Sequence, residues 1–82
     1  MFTVKIKNMD TKESVIIEKP TLAEVKTELY RLHTELDLGA SNFNWPTIKK
    51  DGKPFGKLSY NGRVWSLTDE TIELFDNSNE GN

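Results

Sequence analysis

A repeat of apolar residues at alternating intervals of three and four runs through residues 20–37, and it constrains the fold more than any other feature. The repeated residues are Leu22, Val25, Leu29, Leu32 and Leu36. This spacing places them on one side of an α-helix and leaves the charged residues between them in water. The sequence therefore predicts a helix over residues 21–38, and the helix needs an apolar surface to cover its buried side.

Both ends of the predicted helix carry signals in the sequence. Pro20 ends the preceding extended segment, because it lacks a backbone N–H and restricts the residue before it. Thr21 is then placed as the N-cap, with Glu24 three residues later as its partner in a capping box. Gly39 follows the last leucines and suits the left-handed residue that closes many helices.

Residues 2–7 alternate apolar and polar side chains, which is typical of a strand with one buried face. The apolar set is Phe2, Val4 and Ile6. After a polar turn, residues 14–19 predict the returning strand, with Val15 and Ile17 facing the core and Ile16 on the other face. The two segments form a predicted β-hairpin that supplies part of the surface needed by the helix.

Two glycine-containing dipeptides, Asp51-Gly52 and Asn61-Gly62, mark turns in the second half of the chain. Both accept positive φ at little cost, and Asn-Gly between alternating segments is a strong signal for a two-residue hairpin loop. In that register the predicted core face consists of Leu58, Tyr60, Trp65 and Leu67, and the opposite face of Lys57, Ser59, Val64 and Ser66. Pro54 predicts an edge position or a β-bulge.

The segment 68–75 fits two structures. Thr68 followed by two acidic residues is a helix-start signal, whereas Ile72 and Leu74 between polar residues fit a strand, which is favoured. Residues 77–82 are polar, have no apolar anchor and are expected to fray. We expect one domain over residues 1–76, because 82 residues are too few for two hydrophobic cores.

The predicted order is strand, strand, helix and then two or more strands. It resembles the ubiquitin-like β-grasp, in which a hairpin, a helix and a second group of strands enclose one core. The predicted class is therefore α+β, with a mostly antiparallel sheet of about four to five strands packed on one helix. Conjugation chemistry is not expected, because the chain ends Asn79-Glu80-Gly81-Asn82 and lacks a terminal Gly-Gly pair.

The residue inventory disfavours catalysis. The chain has no cysteine and a single histidine, His33. The lack of cysteine excludes thiol nucleophiles and thiolate metal sites. The serines and threonines have no second histidine to activate them. The carboxylates Asp69, Glu70 and Glu73 are the remaining candidates for acid–base chemistry, and a raised pKa is hard to arrange in their polar terminal segment. We therefore predict a non-enzymatic protein without a cofactor or a metal.

Membrane insertion and export are also not expected. No apolar run approaches the roughly 20 residues of a membrane span, and no signal-peptide pattern opens the chain. The absence of cysteine is compatible with a reducing compartment. These features predict a cytoplasmic location.

The first binding hypothesis is a protein partner. Two aromatic residues lie in the loop before Pro46, and loop aromatics are common anchors in interfaces. One or both can instead fold back as a lid over the core. Acidic residues near the C-terminus would meet a basic surface. The candidate residues are Phe43, Trp45, Asp69, Glu70, Glu73 and Asp76. The small size, the charge and the lack of chemistry suggest an inhibitor or regulator of the kind that phages and mobile elements encode.

The alternative hypothesis is a nucleic-acid partner. Basic residues with interleaved aromatics concentrate in the segment 49–63. The basic candidates are Lys49, Lys50, Lys53, Lys57 and Arg63. Lysines would neutralise phosphates, and a ring can stack on an unpaired base. Protein binding is favoured, because Tyr60 falls on the predicted core face and the acidic C-terminal region would repel the same ligand.

Overall fold

A computed structural model describes residues 1–68 and 72–74 of the chain. In chain order the elements are β1 (Phe2–Lys7), β2 (Ser14–Lys19), α1 (Leu22–Glu35), β3 (Thr47–Lys50), β4 (Lys53–Leu58) and β5 (Val64–Trp65). The strands form one antiparallel sheet in the order β2-β1-β3-β4-β5. The predicted α+β class is confirmed, and the likeness to the β-grasp remains one of element order.

The core lies between α1 and one face of the sheet. On the helix side it contains Val25, Leu29, Leu32 and Leu36. On the sheet side it contains Phe2, Val4, Ile6, Ile17, Ile48, Leu58 and Val64. Leu22 is half-buried and packs against this core, so every member of the apolar repeat faces it. Ile16 was predicted on the opposite face, and it is 66% exposed.

The helix begins as predicted. Thr21 has an extended backbone, and its Oγ1 accepts a hydrogen bond from the Glu24 N–H at 3.2 Å. This bond satisfies one of the N–H groups that the first helical turn leaves without an intrahelical acceptor. The N-cap is therefore confirmed.

The helix ends earlier than predicted, at Glu35, and the residue that closes it is different. Asp37 adopts a left-handed backbone with φ 51°, and the Leu38 N–H returns to the His33 carbonyl at 2.9 Å, as in a Schellman motif. Leu38 is buried, so the chain must reverse before it to bring this side chain into the core. The prediction that Gly39 closes the helix is wrong, because its φ is not positive.

Asn8 connects the β1–β2 turn to the end of α1. Its side chain is 1% exposed, and its Oδ1 accepts hydrogen bonds from the N–H groups of Asp10 (2.8 Å) and Thr11 (3.0 Å). Its Nδ2 donates to the Leu36 carbonyl at 2.7 Å. One buried amide therefore fixes the hairpin turn and satisfies a carbonyl at the helix C-terminus.

The β3–β4 hairpin follows the prediction. Asp51 (φ 51°) and Gly52 (φ 85°) are the two loop residues, and both have positive φ, as a type I′ turn requires. The pairing of β4 with β3 shifts between Gly56 and Pro54, which leaves Phe55 as the extra residue of a bulge. Of the two positions predicted for this proline, the bulge is the observed one.

The register predicted for the Asn61-Gly62 hairpin is wrong by one residue. Leu58 pairs with Val64, so the loop contains the three residues 60–62. Gly62 has φ 89° and occupies the left-handed position that follows the turn, whereas the asparagine has no positive φ. This is a three-residue loop with a glycine bulge instead of a two-residue turn.

The shifted register exchanges the two faces of β5, because successive strand residues point to opposite sides. Val64, predicted on the outer face, is buried beside Leu58. Trp65, predicted in the core, is half-buried on the face away from α1, and Leu67 is 44% exposed. Tyr60 is half-buried and packs against the core from the loop.

Residues 72–74 lie beside β5, in agreement with the strand alternative. Trp65 forms an antiparallel bridge with Glu73, and the Leu74 N–H donates to the Val64 carbonyl at 2.7 Å. Four other residues of the ambiguous segment lie outside the described residues, as does the tail predicted to fray.

Candidate protein-binding surface

Five side-chain rings form a continuous series from α1 to the loop before β3. We call it the aromatic strip, and its members in spatial order are Tyr30, His33, Tyr60, Phe43 and Trp45. Neighbouring ring centroids lie 5.6, 4.2, 5.9 and 5.7 Å apart. The terminal rings are exposed, Tyr30 at 49% and Trp45 at 45%. The strip therefore presents an aromatic ring to solvent at each end and is packed in its middle.

The helix positions one half of the strip. Tyr30 and His33 are three residues apart, which places them on the same side of α1. The His33 ring stacks on Tyr60 at an interplanar angle of 14°, and its Nε2 lies 3.0 Å from the Tyr60 carbonyl oxygen. The Tyr60 hydroxyl donates to the Leu38 carbonyl (3.3 Å), and the Tyr30 hydroxyl donates to the Asn61 carbonyl (3.1 Å). These contacts fix the loop 60–62 to the helix.

Phe43 is the lid residue of the two loop aromatics. Its ring is 3% exposed, and its backbone forms an antiparallel bridge with Asn8 beyond the end of β1. It contacts Trp45 on one side and Tyr60 on the other, both in an edge-to-face arrangement that aromatic pairs favour. Phe43 therefore supports the exposed indole ring and does not itself face solvent.

Trp45 is held in an unusual conformation. Its φ of 51° lies in the left-handed region, which bulky residues rarely adopt. Such a backbone costs about 1–2 kcal/mol and persists only where the surrounding structure imposes it. The indole nevertheless remains nearly half exposed, so the strain is not compensated by full burial of the ring.

The residues on both sides of this tryptophan are fixed to the sheet. The Asn44 side chain accepts a hydrogen bond from the Lys7 N–H (3.0 Å) and donates one to the Lys5 carbonyl (2.9 Å). Pro46 is buried, and its carbonyl accepts a hydrogen bond from the last residue of β4 at 2.9 Å. The loop therefore has anchored flanks, and the indole is presented from a rigid platform.

Charges on the helix beside the strip largely neutralise one another. Arg31 pairs with Glu28 at 2.7 Å and with Glu35 one turn later. The hydrogen bond from this guanidinium lowers the pKa of Glu28, and the two carboxylates raise the pKa of Arg31. Lys26 Nζ lies 5.9 Å from the Tyr30 ring centroid. Exposed pairs of this kind contribute little stability, so the rings are the distinctive feature of this surface.

The acidic candidates are only partly placed. Glu73 is half-buried and lies opposite Trp65 across the bridge to β5. Asp69, Glu70 and Asp76 lie outside the described residues. The aromatic strip is therefore the part of the predicted protein-binding surface whose geometry is defined.

The basic candidates are distributed over three surfaces. We define the open face as the sheet face away from α1. Lys49 lies on this face because it pairs with the outward Thr3, and Lys57 because it pairs with the outward Thr47. Lys5 and Lys7 of β1 share that face. Arg63 lies at the opposite hairpin and is exposed.

Lys50 and Lys53 lie on the helix side of the sheet. They face each other across the β3–β4 turn. Lys50 Nζ lies 5.4 Å from the ring centroid of Phe2 and 5.7 Å from that of Phe55. This ammonium covers the end of the core, with its charge above aromatic rings.

Two members of the strip, Tyr30 and His33, received no binding role from the sequence pattern, and Tyr60 was considered only as an aromatic of the nucleic-acid alternative. The spacing of three residues between Tyr30 and His33 was an available signal, because it predicts adjacent rings on a helix. The contact of His33 with Tyr60 joins residues 27 positions apart, and local sequence carries no sign of it.

Among residues 1–68 and 72–74, no group of three or more histidine and acidic side chains is placed to hold a metal ion. Within the same residues, no helix is long and apolar enough to cross a membrane.

Comparison of the chain with protein-family models, with curated proteins and with solved structures found no match.

Proposed function

We propose that the protein is a non-enzymatic protein-binding module whose contact surface is centred on Trp45 and the exposed part of the aromatic strip. The observation that supports the proposal most directly is the exposed indole on an anchored, left-handed backbone. Tryptophan and tyrosine are enriched among the residues that dominate binding energy. An anchor that is fixed before association also loses little conformational freedom when it binds.

Folding alone does not explain this arrangement. Phe43 already closes the core beneath the loop at 3% exposure, so the second aromatic residue adds little to core burial. A left-handed backbone at Trp45 costs about 1–2 kcal/mol. Local strain of this kind is often retained at functional sites, where it positions a side chain. Presentation of the Trp45 indole to a partner would account for the retention of this backbone strain.

The acidic C-terminal region is a second contact region in this proposal. From Val64 to the end the chain contains Asp69, Glu70, Glu73, Asp76 and Glu80 and no basic residue. Such a charge distribution favours encounter with a basic surface. A small inhibitor or regulator of the phage or mobile-element type, docking on a host protein, fits this combination of size, charge and exposed aromatics.

The test is affinity capture from an extract of the native host, followed by titration of the identified partner. The Trp45→Ala variant is expected to weaken binding by roughly 30-fold or more, since loss of an interface hot spot costs about 2 kcal/mol or more. Ile16→Ala is the control, because this exposed apolar side chain lies on β2, at the opposite edge of the sheet from β5 and Glu73, and it is expected to bind like the native protein.

Circular dichroism and thermal unfolding establish that the variants are folded. Trp45→Gly is a second variant with a lower risk of misfolding, since glycine adopts positive φ without strain. Equal affinity of the native protein and both Trp45 variants for the same partner would refute the proposal.

Nucleic-acid binding is the second candidate function, and one observation favours it. The open face brings together four lysines from three neighbouring strands: Lys5, Lys7, Lys49 and Lys57. Ammonium groups on adjacent strands can follow a phosphate backbone. Trp65 lies half-buried on the same face and offers a ring for stacking.

Fluorescence anisotropy with single- and double-stranded DNA and RNA tests this candidate. Micromolar binding that weakens steeply with salt is expected, and the Lys49→Glu/Lys57→Glu variant should abolish it. The Lys50→Glu/Lys53→Glu variant is the matched control, because it makes the same charge change on the helix side of the sheet. Absence of binding at low salt would remove this function.

A further inference from the structure

The terminal strand β2 leaves one edge of the sheet without a partner. Within the described residues, β2 pairs with β1 on one side and with no strand on the other. Its central residues Val15, Ile16 and Ile17 include no charge and no proline, the usual protections of an exposed edge. Ile16 is 66% exposed. A six-residue edge strand with an apolar centre is a template for another strand.

The hydrogen-bond pattern shows which groups of β2 point outward. The Asn8 N–H donates to the Glu13 carbonyl at 2.9 Å, so residues 8 and 13 occupy a hydrogen-bonded position of the ladder, with one of its two bonds formed. Hydrogen-bonded pairs alternate along an antiparallel ladder, and the next pairs involve odd-numbered residues of β2. The backbone N–H and C=O groups of Ser14, Ile16 and Glu18 therefore point to the unpaired edge.

Hydrogen bonds on the other side of β1 indicate the same orientation of the backbone groups. The Lys7 N–H and the Lys5 carbonyl both bond to the Asn44 side chain, on the side where β3 continues. The even-numbered groups of β1 are therefore the ones that point to β2, which agrees with the alternation deduced from the turn.

We propose that this edge binds the same edge of a second copy of the chain, in antiparallel orientation about a two-fold axis. The two five-stranded sheets would then form one continuous sheet. In a symmetric pairing, opposite residues must lie on the same face, so their numbers share the same parity. The register with Ile16 opposite Ile16 of the second copy pairs every outward group, because Ser14 then lies opposite Glu18.

Side-chain chemistry supports this register. The exposed Ile16 side chains of the two protomers cover each other on the open face. Val15 of one protomer lies opposite Ile17 of its partner on the helix side. Glu13 lies opposite Lys19 of its partner, which gives two ion pairs of opposite charge by symmetry. A register shifted by two residues in one direction places Ile16 opposite a glutamate and Val15 opposite a lysine. The shift in the other direction places Ile16 opposite a serine and Ile17 opposite a glutamate. Either shift loses the Ile16–Ile16 match and the Glu13–Lys19 pair.

The inference does not rest on the proposed function, because β2 and the aromatic strip are separate surfaces. The strip is formed by α1 and by the loops before β3 and after β4, whereas the edge is the outer side of β2. A failure of one proposal therefore leaves the other standing.

Single cysteines test the register directly, because the native chain contains none. Opposed residues of a hydrogen-bonded pair have Cα atoms about 5.5 Å apart, within the range that a disulfide spans. Ile16→Cys is expected to form a disulfide-linked dimer under mild oxidation at least about tenfold faster than Lys5→Cys, since pairing raises the effective concentration of the second thiol. Lys5 is the matched control because it is exposed on the same face, directly opposite Ile16 within the hairpin.

A mixture of Ser14→Cys and Glu18→Cys chains sharpens the register. The heterologous disulfide is expected to form in preference to either homologous one, because these two positions oppose each other across the interface. A preference for a homologous product would overturn the register.

Sedimentation velocity measures the assembly without oxidation. The native protein is expected to show a concentration-dependent dimer, and Ile16→Lys, an exposed substitution, is expected to be monomeric with an unchanged circular dichroism spectrum. The proposal is overturned if the native protein is monomeric at its highest soluble concentration, or if Ile16→Cys oxidises no faster than Lys5→Cys. It is also overturned if the edge gains hydrogen-exchange protection only on addition of a different protein.

Discussion

The two Xaa-Gly turns of this sheet have nearly the same sequence signal and different structures. Asp51-Gly52 forms a two-residue turn in which both residues have positive φ. In the loop 60–62 only Gly62 has positive φ, and one more residue belongs to the loop. The dipeptide thus indicates that the chain turns, and it leaves the loop length open.

Contacts with the rest of the molecule account for the difference. The first turn is exposed, and no heavy atom beyond the two adjacent residues lies within 4 Å of the position of a Cβ on Gly52. The second loop receives the Tyr30 hydroxyl on its backbone and the His33 ring on Tyr60. The length of the second loop is therefore set together with the helix, whereas the first turn is contacted by the amino terminus, where Met1 bonds to Asp51.

The space behind β4 favours the same register. A Cβ on Gly56 would lie 2.7 Å from Val64 Cγ1 and 2.9 Å from Leu74 Cδ1, so this part of the core is already filled by a valine and a leucine. An indole in place of the valine would exceed the available volume, and overpacking of this kind is destabilising. Trp65 accordingly lies on the open face.

The largest effect that tests this comparison is expected from Val64→Asp. In the observed register the carboxylate would be buried beside Leu58 without a partner, which costs at least about 3 kcal/mol. Urea unfolding followed by circular dichroism measures the loss. Arg63→Asp is the control at the exposed neighbouring position, with an expected change within roughly 0.5 kcal/mol. Tolerance of Val64→Asp would indicate the two-residue turn instead.

A smaller difference is expected between Gly62→Ala and Gly52→Ala. Both glycines have positive φ, so each alanine introduces backbone strain of about 1–2 kcal/mol. At Gly62 the added Cβ would also lie 2.8 Å from Lys26 Cγ, whereas Gly52 has open space. Gly62→Ala is therefore expected to lower the free energy of unfolding more than Gly52→Ala does.

A double-mutant cycle isolates the contact between the second loop and the helix. In a Lys26→Ala background, Gly62→Ala is expected to cost no more than Gly52→Ala, because the overlapping side chain is gone. If the excess cost persists in that background, the contact with Lys26 is not its cause.

The smallest expected effect is a pH dependence confined to the first turn. The amino-terminal ammonium of Met1 lies 2.9 Å from Asp51 Oδ1, and its hydrogen bond and charge lower the pKa of this carboxyl. A lowered folded-state pKa contributes stability above the unfolded value of about 4, and this stability is lost as the pH falls through the folded value. Asp51→Asn keeps a residue that accepts positive φ and should lose less stability on acidification.

Acid titration of thermal unfolding measures this difference on the chain with a free amino terminus. Acetylation of that terminus should reproduce the effect of Asp51→Asn, because it removes the ammonium. An unchanged acid sensitivity in both cases would exclude the pair as its source.

Local pattern predicted the first half of the fold well. The periodicity of Leu29 and its neighbours, the alternation around Val4 and the cap at Thr21 each depend on residues close in sequence. Burial of these side chains is what selects the elements, so pattern and structure agree.

The remaining features depend on contacts that sequence spacing does not show. Asp37 closes the helix in place of Gly39, because burial of Leu38 requires the reversal one residue before it. Phe43 and Trp45 are both aromatic residues in the same loop, so the sequence does not distinguish them. The packing beneath the loop decides which of the two rings is buried. The aromatic strip itself joins three separate segments of the chain.

Four non-glycine residues of the described chain have a left-handed backbone: Lys12, Asp37, Trp45 and Asp51. Replacement by glycine at each of these positions relieves roughly 1 kcal/mol of backbone strain. The net gain in stability is smaller, because glycine also gives the unfolded chain more conformational freedom. Engineers seeking a more heat-resistant scaffold could make this change at Asp37 without touching the indole. The same backbone relief at position 45 would delete the recognition element, so at that one position thermostability and partner binding are opposed.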